Sequence, residues 1–153
     1  MLKKWKNKKL LKNEKGLTLV ELLAVIVILA IIAAIAVPAI GNIINKSKDR
    51  AILAEASNIL AGAKIAYIDG ACKENKCNDE SLKPYVDGVD LAGTVVELNT
   101  TTGWEVTYPR LKDIKLAEFQ VKDNKATEKE INDRLVKAGG EKPEDNKDTK
   151  GKE

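Results

Sequence analysis

The chain holds no histidine, one phenylalanine, two tryptophans, three tyrosines and two cysteines among 153 residues. Each shortage removes a class of function. Without histidine there is no Ser-His or Cys-His nucleophile system, and two thiols are too few ligands for zinc. Neither a phosphate-binding glycine loop nor a dinucleotide fingerprint is present. An enzyme is therefore not expected, and no cofactor or metal is implied. So few aromatic residues allow only a modest core.

Charge is also missing, but in one place. From Leu22 to Val37 every residue is apolar, and Leu17–Ile40 is long enough at 1.5 Å per residue to span a hydrocarbon core of about 30 Å. The single charge in that segment is Glu21. A charge inside an apolar span costs on the order of 2.5 to 3.5 kcal/mol on insertion scales, so Glu21 reads as functional and needs a partner.

Ahead of the span stand Lys3, Lys4, Lys6, Lys8, Lys9, Lys12 and Lys15 against one acid, Glu14. Basic flanks stay in the cytoplasm, which places everything after Gly41 outside. Removing residues 1–16 takes seven lysines and one glutamate from 26 basic and 23 acidic residues, leaving 19 and 22, so the net charge moves from +3 to −3. The basic character belongs to the leader. The remainder has no concentrated Lys/Arg face in its sequence, and direct nucleic-acid binding is not expected.

Lys15-Gly16-Leu17-Thr18-Leu19-Val20-Glu21 resembles the prepilin leader motif of type IV pilins and their type II secretion and competence relatives. The resemblance covers roughly Lys15 to Asn42 and, more loosely, the helix to Tyr67. It implies cleavage between Gly16 and Leu17 by a prepilin peptidase, N-methylation of the new Leu17 amine, roles for Thr18 and Glu21 in subunit assembly, and a helix kink at Pro38. Leu17 stands where phenylalanine is most common. The implied partners are other pilin subunits, in a homopolymer or a mixed filament, with a membrane platform protein and an assembly ATPase. The implied location is a single-pass cell membrane before assembly and the extracellular surface after it. In that family the carboxylate pairs with the α-amine of a neighbouring subunit; an intramolecular salt bridge, or a carboxyl neutralised by proton uptake, are the alternatives.

Two other readings compete. A secretory signal peptide would be cut at Ala34-Ile35-Ala36, but it has no use for Glu21 and would leave Pro38 two residues past the cut. A membrane-anchored extracellular binding domain that forms no filament would gain nothing from Glu21 either.

The expected organisation is a basic leader at 1–16, a membrane or filament-core helix at 17–40, an amphipathic continuation at 41–68, a globular head at 69–138 and a disordered charged tail at 139–153. Ile52, Ala56, Ile59, Ala63 and Ala66 recur at helical spacing with Leu53, Leu60 and Tyr67 alongside, while Asp49, Arg50, Glu55, Asn58 and Lys64 fall on other faces. Asp69-Gly70-Ala71 stops that helix, and Pro38 predicts a bend or local melting within it. Cys72 and Cys77, in an oxidising location, suit a disulfide; free thiols in an exposed loop are the alternative. Ser81–Val86 reads as a short amphipathic segment. Strands are expected at Thr94–Leu98, Trp104–Tyr108 and Leu116–Val121, the first two joined as a hairpin. Asn99-Thr-Thr matches a glycosylation acceptor, with an ordinary turn as the alternative. Thr127-Glu-Lys-Glu130 is a capping box leading a final helix to Gly139. The fold class is α+β, a long N-terminal spine helix packed on a small three-stranded antiparallel sheet, as in type IV pilins.

Processing is directly measurable. N-terminal sequencing and intact mass of membrane-extracted protein, from cells with an active leader peptidase, should give a chain beginning at Leu17. A chain beginning at Val37, or one retaining Met1, would refute the cut.

Overall fold

The structure, a computed structural model, describes residues 3–139, with side chains from Gly16 onward. The leader lysines and the tail from residue 140 lie outside the described side chains and residues respectively. Helix α1 (Lys3–Ile68) is followed by β1 (Lys76–Asn78), α2 (Asp79–Leu82), β2 (Val95–Asn99), β3 (Gly103–Thr107), β4 (Lys125–Thr127) and α3 (Glu128–Lys137), with short 3-10 turns between β3 and β4. The chain divides into two compact units between Ile43 and Ile44.

In the first unit every large apolar side chain from Leu17 to Ile43 is exposed. A helix apolar on all sides is not the surface of a soluble domain, and this one is long and apolar enough to cross a membrane. It continues unbroken through Pro38. The local melting expected there does not occur, since the missing N–H and the crowded Ala34 carbonyl remove only one link from the ladder.

In the second unit the α1 face formed by Ile52, Leu53, Ala56, Ile59, Leu60, Ala63 and Ala66 is buried. Tyr67, expected with them, lies outside this face and meets Trp104 edge to face at 5.4 Å between ring centroids. The helix ends in a Schellman motif: Ala71 N–H donates to the Ala66 carbonyl and Gly70 N–H to the Tyr67 carbonyl. Gly70 supplies the left-handed residue, with φ +76°.

Opposite that face lies an antiparallel sheet of four strands in the order β1-β2-β3-β4. Its register aligns Cys77, Val96, Val106 and Ala126 on the buried side. The fold is the α+β arrangement anticipated, with one strand more. The β2–β3 hairpin turns through Thr100–Thr102, where the Asn99 carboxamide accepts the Thr101 N–H at 2.9 Å and Gly103 takes φ +80°. The anticipated strand at Leu116–Val121 is a 3-10 turn, Ala117–Phe119. Of the intended face Ala117, Phe119 and Val121, only Phe119 is fully buried. Before it in the chain the core takes Leu111 and Ile114, three residues apart, and Phe119 follows Ile114 by five, neither of them the two-residue period of a strand. The outer strands are β1 and β4, each only three residues long and too short to show alternation in the sequence.

Polar side chains on α1 hold the rest of this unit. Asp49, expected on a solvent face, is buried. Its carboxylate accepts the Lys115 N–H at 3.1 and 3.2 Å and the Leu116 N–H at 2.8 Å. Those donors are thereby satisfied without a strand ladder. Glu55 accepts from the Tyr108 hydroxyl at 2.7 Å and from Arg110 at 2.6 and 2.7 Å. Burial, followed by the bond to Glu55, raises the Tyr108 hydroxyl to about 12. Lys64 pairs with Glu128 in the first turn of α3. That helix begins with the anticipated capping box, Thr127 N–H to Glu130 at 2.9 Å and Glu130 N–H to Thr127 Oγ1 at 3.3 Å.

Gly62 is where α1 meets the segment after α2. A Cβ there would lie 2.4 Å from Val86 Cγ2 and 2.9 Å from the Tyr85 carbonyl oxygen. Helix propensity alone favours Gly62→Ala by about 1 kcal/mol. Contact with backbone reverses the sign, and we expect a net destabilisation of roughly 1 to 3 kcal/mol. Chemical denaturation of the two forms decides it, and a stabilised variant would refute the close approach.

Candidate functional site

Gly16, Leu17, Thr18 and Glu21 all lie within α1. A Cβ on Gly16 would meet nothing within 4 Å. The chain's own packing does not call for glycine there, although a helical glycine costs about 1 kcal/mol against alanine. Leu17 is 58% exposed. Glu21 follows it by four residues, so the two side chains sit one above the other on the same face. Glu21 is exposed among apolar neighbours. Among the described residues the ion pairs all lie in the second unit, and none involves Glu21.

Cys72 and Cys77 form a disulfide. Between them Lys73 and Lys76 exchange hydrogen bonds at 3.0 and 2.8 Å, and Glu74 and Asn75 both take positive φ, +50° and +62°. This is the two-residue turn whose twist suits a hairpin. The cysteines occupy the next, non-hydrogen-bonded pair, where strands approach most closely, and their Cα atoms are 4.6 Å apart. Cys77 is fully buried while Cys72 is at the margin of the core.

The outer face of the sheet carries charge. Glu97 and Glu105 stand directly opposite each other, an unfavourable pairing offset by lysines on the flanking strands. Lys76 meets Glu97 at 2.7 Å, and Lys125 lies 3.0 Å from Glu105 and 4.0 Å from Glu97. The bond from Lys76 holds the Glu97 carboxyl below its ordinary range, and the bond to Glu105 raises Lys125. Exposed pairs of this kind contribute less than about 1 kcal/mol each. Among the described residues no group of three or more metal-binding acids and cysteines comes together. The Asn99 side chain is engaged in the hairpin turn. The residues that sequence reasoning missed are Asp49 and Gly62, whose importance depends on segments about 66 and 24 positions away.

A family model described as the prokaryotic N-terminal methylation motif matches residues 11–37. The match contains Gly16, Leu17, Thr18 and Glu21 and ends just before Pro38, so the chain carries the prepilin motif of type IV pilins and pseudopilins. No curated protein and no solved structure matches the chain.

The disulfide gives a graded test. Closing so short a loop restricts the unfolded chain by no more than about 2 to 3 kcal/mol. Cys72→Ser and Cys77→Ser both remove the bridge, but only the second places a hydroxyl at a fully buried position, adding about 1 to 3 kcal/mol. Denaturation of the two variants should rank Cys77→Ser as the less stable; equal stabilities would refute the core placement.

Proposed function

Because its apolar helix carries the N-terminal methylation motif, we propose that the chain is a prepilin, the precursor of a structural subunit in a type IV pilus-like or type II secretion-like filament. The observation that carries this reading is Glu21: a carboxylate within an otherwise apolar span, inside the matched motif, outside every ion pair among the described residues. An anchor alone would be more stable without it.

The chemistry follows from the cut. A prepilin peptidase hydrolyses the Gly16–Leu17 bond at the cytoplasmic face, residues 1–16 depart with their lysines, and Leu17 gains a free α-amine that is then methylated. That amine and the Glu21 carboxylate are one helical turn apart along the axis, about 6 Å at 1.5 Å per residue. Displacing a second subunit along the first by that interval brings the amine of one level with the carboxylate of the other. Two costly charges then neutralise each other in an apolar setting, and every slipped register leaves both unpaired. Thr18, between them in sequence, is assigned to the same contact.

In this reading residues 17–40 hold the precursor in the membrane with the N-terminus cytoplasmic, residues 41–68 and the head at 69–138 lie outside, and the charged tail follows. Pro38 is the helix kink. A membrane platform and an assembly ATPase supply the work of extraction. The α1 packing in the second unit supports such an arrangement, since the same helix that is apolar throughout residues 22–37 becomes amphipathic by Ile52.

Glu21→Ala separates a filament subunit from an anchored binding domain. Membrane insertion of the precursor should be unimpaired, and cleavage after Gly16 should continue. Assembly should fail, because removing one member of a buried pair costs about 3 to 5 kcal/mol at each contact. Immunoblots of sheared surface and membrane fractions read the outcome. Recovery of the cleaved variant as filaments at wild-type yield would remove the assembly role and favour the anchored domain.

A further inference from the structure

The tip of the β2–β3 hairpin carries a motif that the filament reading leaves unused. Asn99, Thr100 and Thr101 form an Asn-x-Thr acceptor sequence. All three are exposed, as is Thr102. Side chains alternate along β2, so with Val96 buried Asn99 falls on the outer, charged face of the sheet together with Glu97. Its partner across the ladder is Gly103, and a Cβ on Gly103 would meet nothing within 4 Å. No side chain crowds the acceptor from the facing strand.

The two ends of the Asn99 carboxamide are used differently. Its oxygen accepts the Thr101 N–H at 2.9 Å and closes the turn. Its nitrogen, like the Thr101 hydroxyl, has no hydrogen-bond partner among the described residues. A substituent on the nitrogen leaves the oxygen in place, so the turn can carry one without losing a bond. Beside Asn99 a recess of about 340 Å³ is lined by Asn75, Lys76 and Glu97, donors and acceptors that suit sugar hydroxyls. Glu97 also stands two residues ahead of Asn99, the spacing at which prokaryotic acceptor sequences extend the Asn-x-Thr pattern with an acid.

We propose that Asn99 is an N-glycosylation site, modified once the head has crossed the membrane. The donor class is an oligosaccharide carried on a polyisoprenyl diphosphate. The carboxamide nitrogen forms a bond to C1 of the first sugar, the C1–O bond to the diphosphate breaks, and the departing lipid diphosphate takes the proton that the nitrogen loses. The Thr101 hydroxyl is the group by which the transferase recognises the acceptor. The proposal rests on the reading that places the head outside, the compartment in which such acceptors are modified.

The full chain is purified from the membrane and surface fractions of the cells that make it, reduced and digested with trypsin. Fragmentation of the peptide Cys77–Arg110 that leaves glycans attached should find a sugar mass on Asn99. Thr101→Ala should lose that mass and Thr101→Ser should keep it, although both retain the backbone N–H that holds the turn. A bare Asn99, a glycan confined to Thr100, Thr101 or Thr102, or one that survives Thr101→Ala would overturn the proposal. Orientation is scored separately by a membrane-impermeant amine reagent applied to spheroplasts and read at Lys112 and Lys122. An unlabelled head overturns the outward placement and this proposal together, whereas a labelled head with a bare Asn99 overturns this proposal alone.

Discussion

A helix spends its backbone hydrogen bonds on itself, so α1 can hold the rest of the second unit only through side chains. It does so with an apolar face running from Ile52 to Ala66 and with three polar groups at intervals along it, Asp49, Glu55 and Lys64. The apolar face supplies most of the driving force and no direction. The polar groups supply the direction, because each accepts or donates to one segment: the turn at Lys115, the end of β3, and the start of α3. Asp49 is the most consequential of these. A buried carboxylate without donors would be untenable, and its donors come from backbone that would otherwise be unsatisfied.

That coupling explains where the sequence could be read and where it could not. The face of α1, the β2–β3 hairpin, the stop at Gly70 and the capping box at Thr127 are local signals, each complete within a few residues, and all are found in the structure. Leu116–Val121 looked like a strand because Ala117, Phe119 and Val121 alternate. At its start the distant Asp49, not a neighbouring strand, takes the N–H groups of Lys115 and Leu116. Asp49 falls off the apolar stripe of α1 in the sequence, and its burial depends on donors 66 and 67 residues away.

The motif region presents the opposite case. Gly16, Leu17 and Glu21 were legible without any structure, because their pattern violates what an isolated chain would select. A glycine stands where nothing crowds it, and a charge lies among hydrocarbon side chains. Neither choice lowers the free energy of this molecule alone. Under the proposed function both are completed by other molecules, Gly16 by a peptidase and Glu21 by a neighbouring subunit.

The sheet has a consequence of a different kind. Both of its borders are only three residues long, and each ends in a local closure. On one side the N–H and carbonyl of Lys76 are taken by Lys73 across the disulfide-bearing turn; on the other the N–H of Thr127 is taken by Glu130 as the chain enters α3. Little unpaired backbone is left for an incoming strand, and each border opens with a lysine, a residue that discourages edge-to-edge pairing. Heads of this kind can therefore be crowded side by side at high local concentration without zipping into a continuous cross-chain sheet.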